Sequence, residues 1–136
     1  MERRGLRASL IILGLIAALV VLPACGGSSG GGDVAKDCPP ATTTRAAQNG
    51  KVTVCGRDIK FDVKTITTPA GSLEITFINA GSIAHTFTIK AKNFDLDAGP
   101  GSKKTGSVQL DKGSYEFECT VQGHAQAGMK GTIEVS

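Results

Sequence analysis

Few of the residues that usually build a core or crowd an active site occur in this chain. It has no tryptophan, one tyrosine, two histidines and two methionines in 136 residues. Two histidines are too few for a multicopper centre held mainly by imidazole. A large excess of one charge is also missing, since 15 Lys/Arg stand against 12 Asp/Glu. Setting aside residues 1–24 removes three Arg and one Glu and leaves 12 against 11. With no basic stripe and no interleaved aromatics, nucleic acid is not the expected partner. Lys103-Lys104 reads as a solvated turn. Helical periodicity is absent beyond the first 22 residues, which excludes a helical bundle. Internal repeats are absent too. The single long apolar run, Leu10 to Leu22, is roughly 13 residues, short of the ~20 needed to span a bilayer.

What the chain does have, from Lys51 onward, is period-two alternation. Short runs lie at Val52–Val54, Ile59–Val63, Thr65–Thr68, Leu73–Ile78, His85–Ile89, Lys104–Leu110, Tyr115–Cys119 and Gly131–Val135. Turn signals separate most of them: Pro69-Ala70-Gly71, Asn79-Ala80-Gly81, Ala98-Gly99-Pro100-Gly101 and Asp111-Lys112-Gly113. Seven or eight short strands at this spacing predict an all-β, two-sheet antiparallel sandwich over residues 51–136. The longest irregular stretch, Ala91 to Gly101, is expected to hold a turn of helix around Phe94.

The chemistry concentrates near the C-terminus. Cys119, His124 and Met129 follow one another with four residues between each pair. Tyr115-Glu116-Phe117-Glu118-Cys119 alternates strictly, which puts Cys119 on the core face at the end of a strand. The other histidine, His85, shares a face with Phe87 and Ile89 at the start of another strand. If these strands run antiparallel, the start of one and the end of the other meet at the same edge of the fold. Thiolate, two imidazoles and a thioether form a donor set suited to copper in an electron-transfer centre. Zinc fits less well, because Met is a poor zinc ligand.

The segment from about Val52 to Ser136 resembles the small blue-copper proteins of the cupredoxin family. The matching stretches are Asn79-Ala80-Gly81-Ser82-Ile83-Ala84-His85, Gly113-Ser114-Tyr115-Glu116-Phe117-Glu118-Cys119, and His124 to Met129. Plastocyanin-like members have two residues between the Cys and the second His. The four here are closer to the ligand loops of rusticyanin and sulfocyanin. The resemblance implies a Greek-key sandwich and one copper ion held by His85, Cys119, His124 and Met129. It implies single-electron transfer between redox partner proteins by a monomeric domain that is not an enzyme. Laccase- or nitrite-reductase-like chemistry is excluded by the two histidines. His124 is expected to act as the electron port, ringed by Ala80, Ala98, Ala125 and Ala127. Thr86 and Thr120, each following a ligand, are expected to hydrogen-bond between the ligand segments. Two other uses of the same fold stay open: copper storage, buffering or delivery, and a metal-free interaction module.

Residues 1–24 read as a secretory signal, with Arg3, Arg4 and Arg7 before the apolar run. Twin-arginine export is the less complete match. Leu22-Pro23-Ala24-Cys25 resembles a bacterial lipobox, which implies lipidation of Cys25 and anchoring to the cell membrane, facing outside or the periplasm. Residues 25–50 are expected to be a tether, opening with the Gly/Ser run 26–32. In an exported protein the remaining thiols, Cys38 and Cys55, are expected to pair. The alternative, an additional metal or redox pair, lacks a C-x-x-C spacing and a spare histidine.

Overall fold

A computed structural model describes residues 33–136. The segment read as a secretory signal, Cys25 and the Gly/Ser run lie outside the described residues. Ten strands follow a short 3-10 turn at Val34–Asp37: β1 (Thr42–Ala46), β2 (Lys51–Arg57), β3 (Lys60–Phe61), β4 (Val63–Thr68), β5 (Gly71–Asn79), β6 (His85–Ile89), β7 (Phe94–Ala98), β8 (Lys103–Leu110), β9 (Gly113–Glu118) and β10 (Lys130–Val135). They form a six-stranded sheet in the order β1-β4-β10-β9-β6-β7 and a four-stranded sheet in the order β3-β2-β5-β8. The all-β sandwich expected from the alternation is the observed architecture.

Three details differ from the sequence-based expectation. First, β1 lies within residues 25–50, read as tether, so the folded unit begins well before residue 51. Thr42-Thr43-Thr44-Arg45-Ala46 carries no apolar alternation because it is an edge strand, four of its five residues being exposed. Second, Phe94–Ala98 is a strand and not a helical turn. Phe94, Leu96 and Ala98 alternate with Asp95 and Asp97, and the low strand propensity of Asp hides that period. The helical turn is a 3-10 segment at Lys90–Lys92, ended by Asn93 in the left-handed region at φ 50°. Third, the sheets are mixed: β1 and β10 each run parallel to β4, and β2 runs parallel to β5. Alternation reports which face is buried and carries no information about direction.

Four of the five phenylalanines fill the space between the sheets. Phe87 and Phe117 stack with ring centroids 4.7 Å apart, and Phe61 meets both edge-on at 5.7 and 5.3 Å. Aromatic pairs of this kind contribute about 0.5–1.5 kcal/mol each beyond their burial. Phe87 lies two residues after His85 and Phe117 two before Cys119. The stack therefore holds the ligand-bearing strands together below the site.

At the N-terminal side, Cys38 and Cys55 form a disulfide, as their count and compartment led one to expect. Arg45 reinforces it, donating to Thr53 O at 2.7 Å, Asp62 Oδ2 at 3.0 Å and Pro40 O at 2.8 Å.

Candidate metal centre

β6 opens with His85 and β9 ends one residue before Cys119. The two strands are antiparallel, so these ends meet at one edge of the sandwich. From Cys119 the chain coils through tight turns: His124 N–H donates to Val121 O at 3.0 Å, Ala127 N–H to Gly123 O at 3.0 Å, and Met129 N–H to His124 O at 2.9 Å. Gly123 and Gly128 take φ of 86° and 100°, a region that β-carbon sterics close to most residues. The coil shuts where Cys119 N–H donates to Met129 O at 3.0 Å. Three donor side chains are thereby gathered within eleven residues.

His85, Cys119 and His124 come together as a cluster with metal-ligand potential. The two imidazole Nδ1 atoms stand 3.2 Å apart, and Cys119 Sγ lies 3.4 Å from Nδ1 of His124 and 3.9 Å from Nδ1 of His85. A triangle with those edges has its centre roughly 2 Å from each corner. Imidazole nitrogen and thiolate sulfur bond a first-row ion at about 2.0–2.3 Å. The donor triangle thus fits one small metal ion without rearrangement. Its soft thiolate beside two imidazoles fits copper in particular.

Burial sharpens the chemistry. His85, Cys119 and Met129 are fully buried, and His124 alone retains some exposure, at 7%. Burial pushes the His85 pKa down, the charge of His124 pushes it the same way, and Asp58 pulls weakly against both. Burial thus disfavours the protonated ring, which lessens the competition of protons with a metal for its nitrogen. Thr86 N–H points at Cys119 Sγ from 3.4 Å, and a donor to a thiolate steadies its charge. His85 Nε2 is buried without a hydrogen-bond partner, the only such side-chain atom among the described residues. Met129 reaches back to β2: a Cβ at Gly56 would stand 2.9 Å from Met129 Cε, so the space for that methyl exists only because residue 56 is glycine.

Thr86 and Thr120 do bridge the ligand segments, with Oγ1 atoms 3.0 Å apart and Thr120 N–H donating to Thr86 Oγ1 at 2.8 Å. Of the small residues expected around His124, Ala80 and Ala125 are half-buried and Ala127 is exposed. Ala98 is fully buried and cannot belong to an exposed rim, because it pairs with His85 inside the sheet. Ile83, 45% exposed, and Ala84 supply apolar surface beside His85.

Sequence reasoning treated Asn79 only as a turn residue. It is fully buried, donates from Nδ2 to Ile83 O at 2.7 Å and to Ala98 O at 2.8 Å, and accepts from Gly81 N–H at 3.0 Å. One amide thus clamps the loop that delivers His85. The available signal was an Asn closing an otherwise apolar strand. Gly56 had no comparable signal, since nothing local asks for glycine there.

A family model described as "Cupredoxin-like domain" matches residues 15–135. The copper-resistant cuproprotein CopI of Rubrivivax gelatinosus is 27% identical over 165 residues, covering 99% of each chain. Among solved structures, reduced auracyanin from Roseiflexus castenholzii superposes with a TM-score of 0.59 at 21% identity, covering 66% of this chain and 98% of the other. Auracyanin A of Chloroflexus aurantiacus, described as a "blue" copper protein, gives 0.53 at 17% identity over 63% and 98%. Reduced rusticyanin gives 0.54 at 21% identity over 68% and 84%.

Proposed function

The chain belongs to the cupredoxin-like family, and from that footing we propose that it is a mononuclear blue-copper protein carrying single electrons between redox partner proteins. The observation that carries this reading is the buried triangle of His85 Nδ1, Cys119 Sγ and His124 Nδ1, with edges of 3.2–3.9 Å. His85, Cys119 and His124 would hold the ion, with the Met129 thioether as a further, weaker donor. Copper so held supplies a one-electron couple. The protein's part is to keep the donors fixed in both oxidation states. The sheet fixes His85 and the closed coil fixes Cys119 and His124, so little has to move when charge changes. His124, the one donor with an exposed edge, is the natural point of exchange. This makes the protein a carrier rather than a catalyst.

The copper-loaded protein tests it. A strong thiolate-to-copper band in the visible and a narrow copper hyperfine splitting in EPR are expected, and Cys119→Ser should abolish the colour because a hydroxyl cannot supply that charge transfer. A Cys119→Ser variant with the wild-type visible spectrum would remove the thiolate from the site and overturn the reading.

A second reading, copper buffering or delivery, is supported by the likeness to a protein named for copper resistance over nearly the full length of both chains. Both uses need the same donors. They part at Met129, considered below.

The site of action is proposed from the N-terminal sequence: export, lipidation at Cys25 and anchoring to the cell membrane, with the domain outside or in the periplasm. The Cys38–Cys55 disulfide agrees with an oxidising compartment. Cys25→Ala should move the protein from the membrane fraction to the soluble one. A wild-type protein that is soluble and unacylated in a bacterial host would remove the anchor.

A further inference from the structure

The ligand-bearing ends of β6 and β9 are not joined by a ladder. Among the described residues the two strands share one register pair, Thr88 with Glu118, three residues from His85 and one from Cys119. Past that rung a file of hydroxyls fills the gap. Thr120 Oγ1 lies 3.0 Å from Thr86 Oγ1, Thr86 Oγ1 lies 3.0 Å from Thr88 Oγ1, and Thr88 Oγ1 donates to Asp95 Oδ1 on β7. Thr86 and Thr88 are each only 8% exposed.

The direction of this file follows from proton counting. A carboxylate only accepts, and each hydroxyl has a single proton to give. Thr88 gives its proton to Asp95, so Thr86 must give its own to Thr88. Thr86 Oγ1 then accepts both from the Thr120 hydroxyl and from Thr120 N–H, the latter at 2.8 Å. The Thr86 hydroxyl is committed away from the metal site. Its backbone N–H is left as the group facing Cys119 Sγ, at 3.4 Å.

We propose that Asp95 and Thr88 are positioning residues of the copper centre. The Asp95 carboxylate fixes the direction of a hydroxyl file that replaces the missing β6–β9 rungs and holds the Thr86 N–H against the Cys119 sulfur. Neither residue touches the donor triangle. The inference rests on the blue-copper reading for its consequences at the metal, while the file itself belongs to the metal-free protein.

The experiment has two arms. In the metal-free protein, amide hydrogen exchange at Thr120 and Thr86 should quicken about fivefold to tenfold in Thr88→Val and Asp95→Ala, as expected for losing one net hydrogen bond. Thr88→Ser should restore protection. In the copper-loaded protein, Thr88→Val changes no charge yet should alter the copper hyperfine splitting and the reduction potential. Asp95→Ala should shift the potential more than Asp97→Ala, which removes the same charge from the same strand outside the file. Asp97 pairs in register with Thr86, so it is no farther along the sheet from the site. Wild-type exchange and spectra in Thr88→Val, or equal shifts in the two Ala variants, would overturn the proposal. Should Thr88→Val fail to fold, the two Ala variants decide alone. A copper-loaded wild type without the blue spectrum would sink the blue-copper reading, and amide exchange would still judge the file.

Discussion

Gly131 lies on β10 across from Phe117, and a Cβ built there would stand 2.3 Å from Phe117 Cζ and 2.5 Å from Lys64 O. The second atom is backbone and cannot swing away. Gly131→Ala should therefore displace the Phe117 ring that stacks on Phe87. It is expected to lower stability by about 1–3 kcal/mol, the usual cost of overpacking, read as a lower urea midpoint with an unchanged slope. Met129 raises a different question, because it is where electron transfer and copper handling part. Met129→Leu keeps apolar volume, at a packing cost below about 1.5 kcal/mol, but removes the sulfur. In an electron carrier the three strong donors hold the ion and the thioether tunes it. The variant should stay blue, keep its copper and move to a higher potential, since a lost donor disfavours Cu(II). In a delivery protein the thioether is needed to retain Cu(I). A large fall in Cu(I) affinity against a competing chelator, with slow self-exchange in the wild type, would move the assignment to copper handling.

The N-terminal segment is held to the sandwich by the β1–β4 ladder, the disulfide, an exposed Lys103–Asp37 pair and a largely buried Arg45–Asp62 pair. Arg45 on β1 meets Asp62, whose other oxygen accepts Cys55 N–H at 2.8 Å, so the ion pair is hydrogen-bonded to the strand that carries the disulfide. Both partners are largely buried, with side-chain exposures of 14% and 12%. Removing one partner leaves the other charged and poorly hydrated, which costs on the order of 3 kcal/mol. Arg45→Ala should show that loss in chemical denaturation. An effect under about 1 kcal/mol, the scale of an exposed pair, would mean that β1 is not held this way. The disulfide was legible in the cysteine count, but β1 and its ion pair were not. A polar edge strand carries no alternation, and its evidence is a partner in β4 that lies some twenty residues away. β7 was hidden for another reason: Asp at both outward positions lowers strand propensity, although Asp95 has an assigned task there. The site, by contrast, could be read almost whole. With two histidines and, among the described residues, one unpaired thiol, the donors had few alternatives, and strand alternation placed them at matching ends. What stayed out of reach was the packing that sets their distances, namely the Asn79 clamp and the bare backbone of Gly56. These depend on contacts between distant segments.

For the whole molecule, acid is the informative stress, because it reaches both a buried donor of the site and the carboxyl tied to Arg45. Among the described residues, His85 and Asp62 have shifted pKa values, and their signs differ. Burial raises the Asp62 pKa above its ordinary 3.8, more than Cys55 N–H and Arg45 pull it down. Its contribution is therefore full below that value and fades as pH rises through the raised one. His85 behaves in the opposite way. Its pKa is lowered from 6.5, chiefly by burial. Below about 6.5 the unfolded chain takes up a proton that the folded site still refuses. The stability contributed by His85 is present above 6.5 and is lost as pH falls toward its lowered pKa. For a single group the slope is at most about 1.4 kcal/mol per pH unit. The metal-free protein should thus weaken from about pH 6.5 downward through His85, and His85→Gln should remove that contribution from the curve while leaving the opposite one from Asp62. Copper changes the outcome because it claims the His85 lone pair. At a free concentration of 100 times its dissociation constant it adds about 2.7 kcal/mol, and that increment should shrink as acid competes for His85. The measurement is urea unfolding of metal-free and copper-loaded protein across pH 4 to 8 (~0.5-unit steps, fine enough to resolve one proton). Parallel curves for the two forms over that range would mean that copper is held without the His85 nitrogen, and would take that histidine out of the ligand set.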